Sequence, residues 1–303
     1  MPAGKTTSQP SITDLLDPDF LARLDALDVL SRKIFQGKLA GERISKRRGR
    51  SVEFADHRRY VPGDDLRFVD WNIFARMDMF FLKLFLAEED LSVEILLDGS
   101  ESMGSGEPAK AAVARKLAAA LAYVGLVNNN RVTVSTFADG LTARRANLRG
   151  RHRMHRVVEL LLGGKPQGPT LFTSACRQAA AARTGSGVMV VISDFLFKGG
   201  YEEGLRRLIG GNYDLYVIQM LSPQEMSPDL SGDLELVDIE DGDAAEVTIN
   251  AALMNYYKRN LTAYCDELKG FCTSRGATYA LVSTEDSVED LMLKYLRRRG
   301  LLG

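Results

Sequence analysis

The chain has 303 residues and a formal net charge of −1, and 45% of its residues are apolar and 26% charged, which is ordinary for a soluble globular protein. A charge near zero excludes a general electrostatic attraction to nucleic acid or acidic membranes, and no apolar run approaches the ~18 residues of a membrane-spanning helix. Three cysteines without metal-site spacing predict reduced thiols, and the lack of a signal-peptide core predicts a cytoplasmic protein.

The N-terminal region divides into three parts by composition. Residues 1–10 are small and polar, and we expect them to be disordered. Residues 11–36 carry leucines at helical spacing, with Asp17 as a cap and Pro18 in a first turn, and predict one or two amphipathic helices. Residues 32–50 contain eight Lys or Arg against one Glu and predict an exposed loop or short strand.

Residues 51–89 interleave opposite charges and aromatic side chains without any period. Charges beside aromatic groups need partners once they lose water, so we predict a packed irregular segment with internally paired charges. An Arg-rich segment with the chain's only Trp equally fits a surface that binds a partner. The candidate partner-binding residues are Arg59, Tyr60, Asp64, Asp65, Arg67, Asp70, Trp71 and Arg76.

The stretch that follows combines a buried strand with oxygen ligands. Residues 93–97 are apolar enough to be buried on both faces of a sheet. Asp98, Ser100 and Ser102 occupy alternate positions just beyond, and we expect Gly99 to permit the tight turn between them. One carboxylate and two hydroxyls suit a hard cation such as Mg²⁺ or Mn²⁺. The alternative is an ordinary helix cap.

Beyond residue 103, strand and helix patterns alternate, which predicts an α/β fold with a doubly wound, mostly parallel sheet and helices on both faces. We expect an N-terminal extension at residues 1–90 and the α/β domain at residues 91–303. The predicted strands are 131–137, an antiparallel edge at 141–145, 187–195, 215–221, a hairpin of 234–239 with 246–249, and 278–282. The predicted helices are 109–127, 154–162, 171–183, 201–209, 251–274 and 288–299.

Two motifs give a family resemblance. The succession Tyr60-x-Pro62-Gly63-Asp64-Asp65-x-Arg67-x-x-Asp70-Trp71, followed by Asp98-x-Ser100-x-Ser102-Met103, resembles the bacterial and archaeal DUF58 family. The match is close over residues 53–103 and looser beyond. The resemblance implies a von Willebrand factor A-like, Rossmann-type domain. It also implies a link to MoxR-type AAA+ ATPases, because many family members are encoded beside one.

The Asp-x-Ser-x-Ser pattern resembles the metal-ion-dependent adhesion site (MIDAS) of von Willebrand factor A domains. That resemblance implies two further ligands, for which Thr170 and Asp194 stand in matching positions, with Thr173 as an alternative to Thr170. It implies that the hydroxyls of Ser100, Ser102 and Thr170 bind Mg²⁺ or Mn²⁺ directly. Asp98 and Asp194 would act directly or through water, and one position would stay open for a partner's carboxylate.

These observations predict a non-enzymatic, metal-dependent protein-binding adaptor that acts with a MoxR-type ATPase in the assembly or maturation of protein complexes, in a chaperone-like role. We predict no catalytic residues. A metal-dependent hydrolase using the same cluster is the alternative, weakened because His57, His152 and His155 fall outside it. Nucleic-acid binding through residues 32–50 and 144–156 would rest on charge alone, without stacking aromatics.

Overall fold

The structure is a computed structural model that describes residues 11–31, 53–86, 91–164, 170–238 and 242–303. The predictions for residues 1–10 and for the basic segment 32–50 lie outside the described residues. The chain forms two compact units, one of Met1–Lys33 with Leu91–Gly303 and one of Ile34–Asp90. The expected division into 1–90 and 91–303 therefore differs from the structure at its N-terminal end.

The larger unit is built on a six-stranded sheet. Its order, in chain numbering, is β10-β7-β6-β3-β4-β5, and all neighbours are parallel except β4 and β5. The strands are β3 (Leu91–Asp98), β4 (Arg131–Ala138), β5 (Gly140–Leu148), β6 (Ser186–Ser193), β7 (Tyr213–Leu221) and β10 (Thr278–Ser283). Renumbered from β3, this is the order 3-2-1-4-5-6 of doubly wound folds, so the predicted fold class and the antiparallel edge are confirmed.

Helices cover both faces of this sheet. They are α1 (Pro18–Leu24), α3 (Lys110–Val127), α4 (Met154–Gly163), α5 (Phe172–Ala182), α6 (Glu202–Leu208), α7 (Pro223–Met226), α8 (Ala251–Thr273) and α9 (Val288–Asp290), which continues as a π-helix over Leu291–Leu296. The π-helical turn is a departure from the regular closing helix predicted. Among the described residues, no helix combines the length and apolarity needed to cross a bilayer.

Strand β3 is buried because both of its faces contribute to a core. Val93, Ile95 and Leu97 belong to the cluster formed with α1, α3, α4 and α9. Leu96 belongs to the second cluster, formed with α5, α6 and α8. This alternation follows from the two-residue period of a strand. The strand order places β3 in the middle of the sheet. Its carboxyl end therefore lies where open α/β folds bind ligands.

The N-terminal residues form two short helices, where one or two amphipathic helices were predicted within residues 11–36, of which residues 32–36 lie outside the described residues. A short 3-10 helix spans Ile12–Asp14, and α1 spans Pro18–Leu24, with Pro18 in the first turn as predicted. A turn follows α1, and farther along Val29 forms an antiparallel bridge with Leu302. Leu16, Phe20 and Leu24 are buried in the main core, which explains why this segment belongs to the larger unit.

The described part of the smaller unit, residues 53–86, contains two strands and a helix, which corrects the prediction of a wholly irregular segment, while residues 60–70 between them are turns and a short 3-10 helix. Strands β1 (Glu53–Arg59) and β2 (Phe81–Leu86) pair antiparallel, with helix α2 (Trp71–Met77) between them. Asp70 begins α2 by accepting hydrogen bonds from the N–H groups of Asn72 and Ile73. The charged and aromatic residues of this segment show no regular spacing because its elements are short. Neither β-strand exceeds seven residues.

The acidic segment forms the predicted hairpin. Strands β8 (Gly232–Val237) and β9 (Ala244–Ile249) pair antiparallel. The turn residues 239–241 lie outside the described residues. The three cysteines, Cys176, Cys265 and Cys272, are free and buried, as predicted for reduced thiols.

Candidate metal centre

The Asp98 loop begins at the carboxyl end of β3. The Gly99 N–H donates to the Phe137 carbonyl over 2.7 Å, and the Ser100 N–H donates to Asp98 Oδ1 over 2.9 Å. A 3-10 turn over Glu101–Gly104 follows. Gly99 does not adopt a positive φ, so the conformational reason expected for a glycine there is wrong. These hydrogen bonds hold the loop against the ends of β3 and β4.

The two serine hydroxyls of the loop converge. Ser100 Oγ and Ser102 Oγ are 3.0 Å apart; Ser100 is fully buried, and Ser102 is half-buried. Asp98 lies beneath them, 2% exposed, and its Oδ2 accepts a hydrogen bond of 2.6 Å from Ser193 Oγ. The structure thus brings three of the predicted ligands together at one sheet edge.

The charge of Asp98 lacks a counter-ion. Burial, with a further contribution from the nearby charge of Asp194, raises the pKa of Asp98 to about 7, against hydrogen bonds from Ser193 and Ser100 that lower it. Within the described part of the chain, no Lys, Arg or His forms an ion pair with this carboxylate. Because a buried charge is costly without a partner, the Asp98 carboxylate is a group that could hold a cation.

Asp194, the second predicted acidic ligand, has a different environment. It follows β6, is buried, and accepts a hydrogen bond from the Leu196 N–H over 3.1 Å. Its other oxygen accepts a hydrogen bond of 2.7 Å from Lys110 Nζ. The same ammonium contacts the Glu225 carboxylate. Asp194 therefore already has a cation from the protein itself.

The threonine candidates lie at the same edge of the sheet. The Leu171 N–H donates to the Ala138 carbonyl over 2.8 Å, which holds the start of α5 at the end of β4, the neighbour of β3. Thr170 and Thr173 are both half-buried. Residues 165–169, which precede Thr170, lie outside the described residues. The choice between the two threonines stays a prediction.

The side chains of the Asp98 loop suit a small hard cation better than Asp194 does. Asp98, Ser100 and Ser102 offer only oxygen, as Mg²⁺ and Mn²⁺ prefer. No group of three or more His, Cys, Asp or Glu side chains gathers around a possible metal position in the described residues, so hydroxyls must supply much of the coordination. Asp194 fits the predicted ligand role less well, because Lys110 holds one of its oxygens.

The structure adds three residues that sequence reasoning missed: Lys110, Ser193 and Glu225. Ser193 and Glu225 gave no signal of their own, because they join the site only through the order of the sheet. Lys110 did give one. It is the first residue of α3, and a lysine at the positive end of a helix dipole is unfavourable unless something else holds it there.

Features expected of a hydrolase are weak within the described residues. His152 and His155 are exposed, and His57 lies in the smaller unit. Ser193 and Asp98 do form a hydroxyl–carboxylate pair, which sequence reasoning did not predict. Ser193 has no exposed surface and also accepts a hydrogen bond from the Phe195 N–H. A substrate has no access to that hydroxyl in this conformation.

The candidate partner-binding residues of the smaller unit separate into two groups. All three acids of the set pair internally: Asp64 with Arg58 over 2.8 Å, Asp65 with Arg67, and Asp70 with His57 over 3.0 Å. The hydrogen bond from His57 is the main reason that the pKa of Asp70 falls to about 2. The internal-pairing alternative therefore holds for these charges.

The aromatic members of that set are different. Trp71 is 58% exposed and meets Phe74 and Phe80 edge-on at 6.1 and 6.4 Å between ring centroids. The ring centroids of Tyr60 and Phe80 are 6.0 Å apart. Arg59 and Arg76 are exposed. Trp71 and its neighbours remain the candidate partner surface.

Comparison with known families agrees with the motifs. Residues 56–265 match the family model described as "Protein of unknown function DUF58". The chain belongs to the DUF58 family. Curated relatives of the DUF58 chain include "Uncharacterized protein Rv1480" of Mycobacterium tuberculosis and "Uncharacterized protein Mb1516" of Mycobacterium bovis. Each is 28% identical over 302 residues, covering 95% of this chain and 93% of the relative.

Solved structures similar to the DUF58 chain include BatB from Bacteroides thetaiotaomicron, at 15% identity and a TM-score of 0.42, covering 69% of this chain and 98% of that one. Another is the SpRpn10 VWA domain, at 13% identity and a TM-score of 0.39, covering 67% and 93%. The α/β fold expected of a von Willebrand factor A-like domain is the one seen in the strand order of the main sheet.

Proposed function

We propose that this DUF58 chain is a non-enzymatic, metal-dependent protein-binding adaptor. The observation that carries the proposal is the position of Asp98. Its buried carboxylate lies at the carboxyl end of the central strand, without a cation in the described residues, beneath two hydroxyls whose oxygens are 3.0 Å apart. A hard divalent cation would remove the cost of that charge and would present an electrophilic centre at the sheet edge.

In this proposal the protein side chains bind and orient. Ser100 and Ser102 supply neutral oxygens, and Asp98 supplies the negative charge. Ser193 and the Ser100 N–H orient the Asp98 carboxylate by hydrogen bonds of 2.6 and 2.9 Å. The bound Mg²⁺ or Mn²⁺ would supply Lewis acidity towards one further oxygen ligand. A carboxylate of a partner protein suits that position, because neutral hydroxyls leave most of the metal charge uncompensated.

The partner proposed for the adaptor is a MoxR-type AAA+ ATPase or a client of that ATPase. Two features support a partner with ATPase activity. The chain has no glycine-rich phosphate loop with the required Lys and Ser or Thr, so an ATP-driven step would come from outside it. The chain also belongs to the DUF58 family, and the family resemblance implies a link to such ATPases, because many members are encoded beside one.

The test measures capture of a MoxR-type ATPase from the same genome by the immobilised full chain, with Mg²⁺ or with EDTA. We expect EDTA and Asp98→Ala each to weaken capture roughly tenfold or more, the usual cost of losing a central anchor. Asp98→Asn, which keeps the shape of the side chain, separates loss of charge from loss of packing. Asp266→Ala, at an exposed position on α8, is the matched control.

If neither EDTA nor Asp98→Asn reduces the amount of ATPase captured, the metal-bridged mechanism is rejected. Metal-dependent turnover of a phosphoester or peptide by the pure chain, abolished by Asp98→Asn, would instead favour the hydrolase.

A further inference from the structure

Lys110 is an unusual residue for its position. Its side chain has no exposed surface, although lysines are almost never fully buried unless paired. Burial would lower the pKa of Lys110, but the charges of Asp194 and Glu225 outweigh burial and raise it. The ion pairs with Asp194 and Glu225 place a positive charge inside the protein, at the N-terminal end of α3, where the helix dipole opposes it.

The two carboxylates that hold Lys110 come from different strand ends. Asp194 follows β6, and its Oδ2 is 2.7 Å from Lys110 Nζ. Glu225 lies in α7, beyond β7, and its second oxygen accepts hydrogen bonds from the Ser222 N–H over 2.8 Å and the Ser222 hydroxyl over 3.1 Å. This capping arrangement fixes the Glu225 carboxylate, so the lysine is clamped between two anchored acids.

The ion pairs of Lys110 neutralise some acids of the site and leave another without a cation. Among the described residues at this sheet edge, the carboxylates that are not exposed are those of Asp98, Asp194 and Glu225, and Lys110 supplies an ammonium. Lys110 contacts Asp194 and Glu225, whereas its ion pairs do not include Asp98. A divalent cation at the Ser100 and Ser102 hydroxyls would thus meet one uncompensated carboxylate, and Asp194 would be available only in competition with Lys110.

We propose that Lys110 is an internal counter-ion that weakens divalent-cation binding at the Asp98 loop by neutralising Asp194. This inference rests on the proposed function and deepens it. With a single free carboxylate, the resting chain binds the cation weakly. A partner that brings a carboxylate supplies the missing charge, so cation and partner bind cooperatively, each raising the affinity of the other by the same factor.

The test is a titration of the full chain with Mn²⁺ alone, with free Mn²⁺ measured by electron paramagnetic resonance. The variants are Lys110→Met, which removes charge and keeps length, and Lys110→Gln, which removes charge and keeps a hydrogen-bond donor for Asp194. Both free Asp194 from the ammonium. We expect each to bind Mn²⁺ roughly tenfold or more tightly than the wild type, given the strength of charge interactions at contact distance.

Two controls make the readout specific. The double variant Lys110→Met with Asp194→Asn removes both charges, so we expect its Mn²⁺ affinity to return to that of the wild type. Asp98→Asn combined with Lys110→Gln should lose the gain. Circular dichroism establishes folding, and Lys110→Gln carries the test if burial of unpaired acids unfolds Lys110→Met.

The outcomes separate this inference from the proposed function. If the wild type binds Mn²⁺ through Asp98 but a folded Lys110→Gln binds it no more tightly, the counter-ion role is rejected and the metal site stands. If Asp98-dependent binding appears only after Lys110 is replaced, the counter-ion role stands and the resting metal site is rejected. If no variant binds Mn²⁺ through Asp98, both are rejected.

Discussion

Two buried aspartates at neighbouring strand ends have opposite situations. Asp194 contacts an ammonium, while Asp98 accepts hydrogen bonds from neutral donors in the described residues. Burial, with a further contribution from the charge of Asp194, raises the pKa of Asp98 to about 7. In the sequence the two aspartates are equivalent candidate ligands, because each is an acid at the end of a buried strand. Their neighbours make Asp98 the carboxylate available to a metal and Asp194 the one already paired.

Glu94 shows how a buried acid in β3 affects stability. Burial raises its pKa to about 7, opposed mainly by the charge of Arg144, whose Nη2 lies 3.8 Å from Glu94 Oε2. The folded chain therefore holds the proton more tightly than the unfolded chain. The stability from this group is present below the ordinary glutamate pKa of 4.5, which applies to the unfolded chain, and is lost as the pH rises through about 7.

We expect Glu94→Gln to remove this loss. Relative to the wild type, the variant should gain up to about 3 kcal/mol of unfolding free energy between pH 5 and pH 8. Urea unfolding at the two pH values measures the difference. Glu159→Gln, at an exposed position on α4, should show no such gain. An equal pH dependence of wild type and Glu94→Gln would contradict the argument.

At the scale of elements, the pairing of β3 with β6 includes a close backbone approach at a glycine. A Cβ built on Gly187 of β6 would lie 1.9 Å from the Ser92 carbonyl oxygen in β3, and the two residues are register partners. The carbonyl belongs to the backbone and cannot rotate away as a flexible side chain would. The strand that carries Asp98 and the strand that leads to Asp194 are therefore aligned at a glycine.

Gly187→Ala should consequently lower the unfolding free energy by roughly 1–3 kcal/mol or more, the range for overpacking a core. Gly199→Ala is the matched control, because nothing lies within 4 Å of its added Cβ. Thermal unfolding of the two variants makes the comparison. An unchanged melting temperature for Gly187→Ala would mean that β3 and β6 are less tightly paired than the structure shows.

At the scale of the whole molecule, the proposed function gives each compact unit one candidate place for a partner. The larger unit carries the Asp98 loop. The smaller unit carries Trp71, which is exposed among other rings although aromatic residues of that size are usually covered by protein or by a partner.

We expect Trp71→Ala to weaken capture of the partner ATPase about tenfold, as loss of an aromatic anchor does, while stability changes by no more than about 0.5 kcal/mol. Tyr256→Ala, which removes a ring that is also exposed, 56%, on α8, should leave capture unchanged. If Trp71→Ala unfolds the chain at lower temperature and leaves capture intact, Trp71 has a packing role instead.

The sequence alone was sufficient where the pattern was local. The apolar run before Asp98 has the composition of a strand buried on both faces, and the alternation of strands and helices that follows restricts the fold to a doubly wound sheet. The two serine hydroxyls also follow from local spacing, because alternate positions in one short loop must lie near each other. The helices of the described N-terminal residues are shorter than the leucine spacing predicts, and the chain beyond them pairs at Val29 with Leu302, a contact that local spacing does not indicate.

Only the tertiary structure decided which charges meet at the site. Lys110, Asp194 and Glu225 are separated by up to 115 residues along the chain, and nothing local indicates that one ammonium joins the two acids. Parallel strand order brings their strand ends to one edge, and the burial that results makes each charge depend on its nearest partner. The sequence therefore predicted the fold and the oxygen donors, whereas packing decided that, within the described residues, Asp194 has an ammonium beside it and Asp98 has neutral donors.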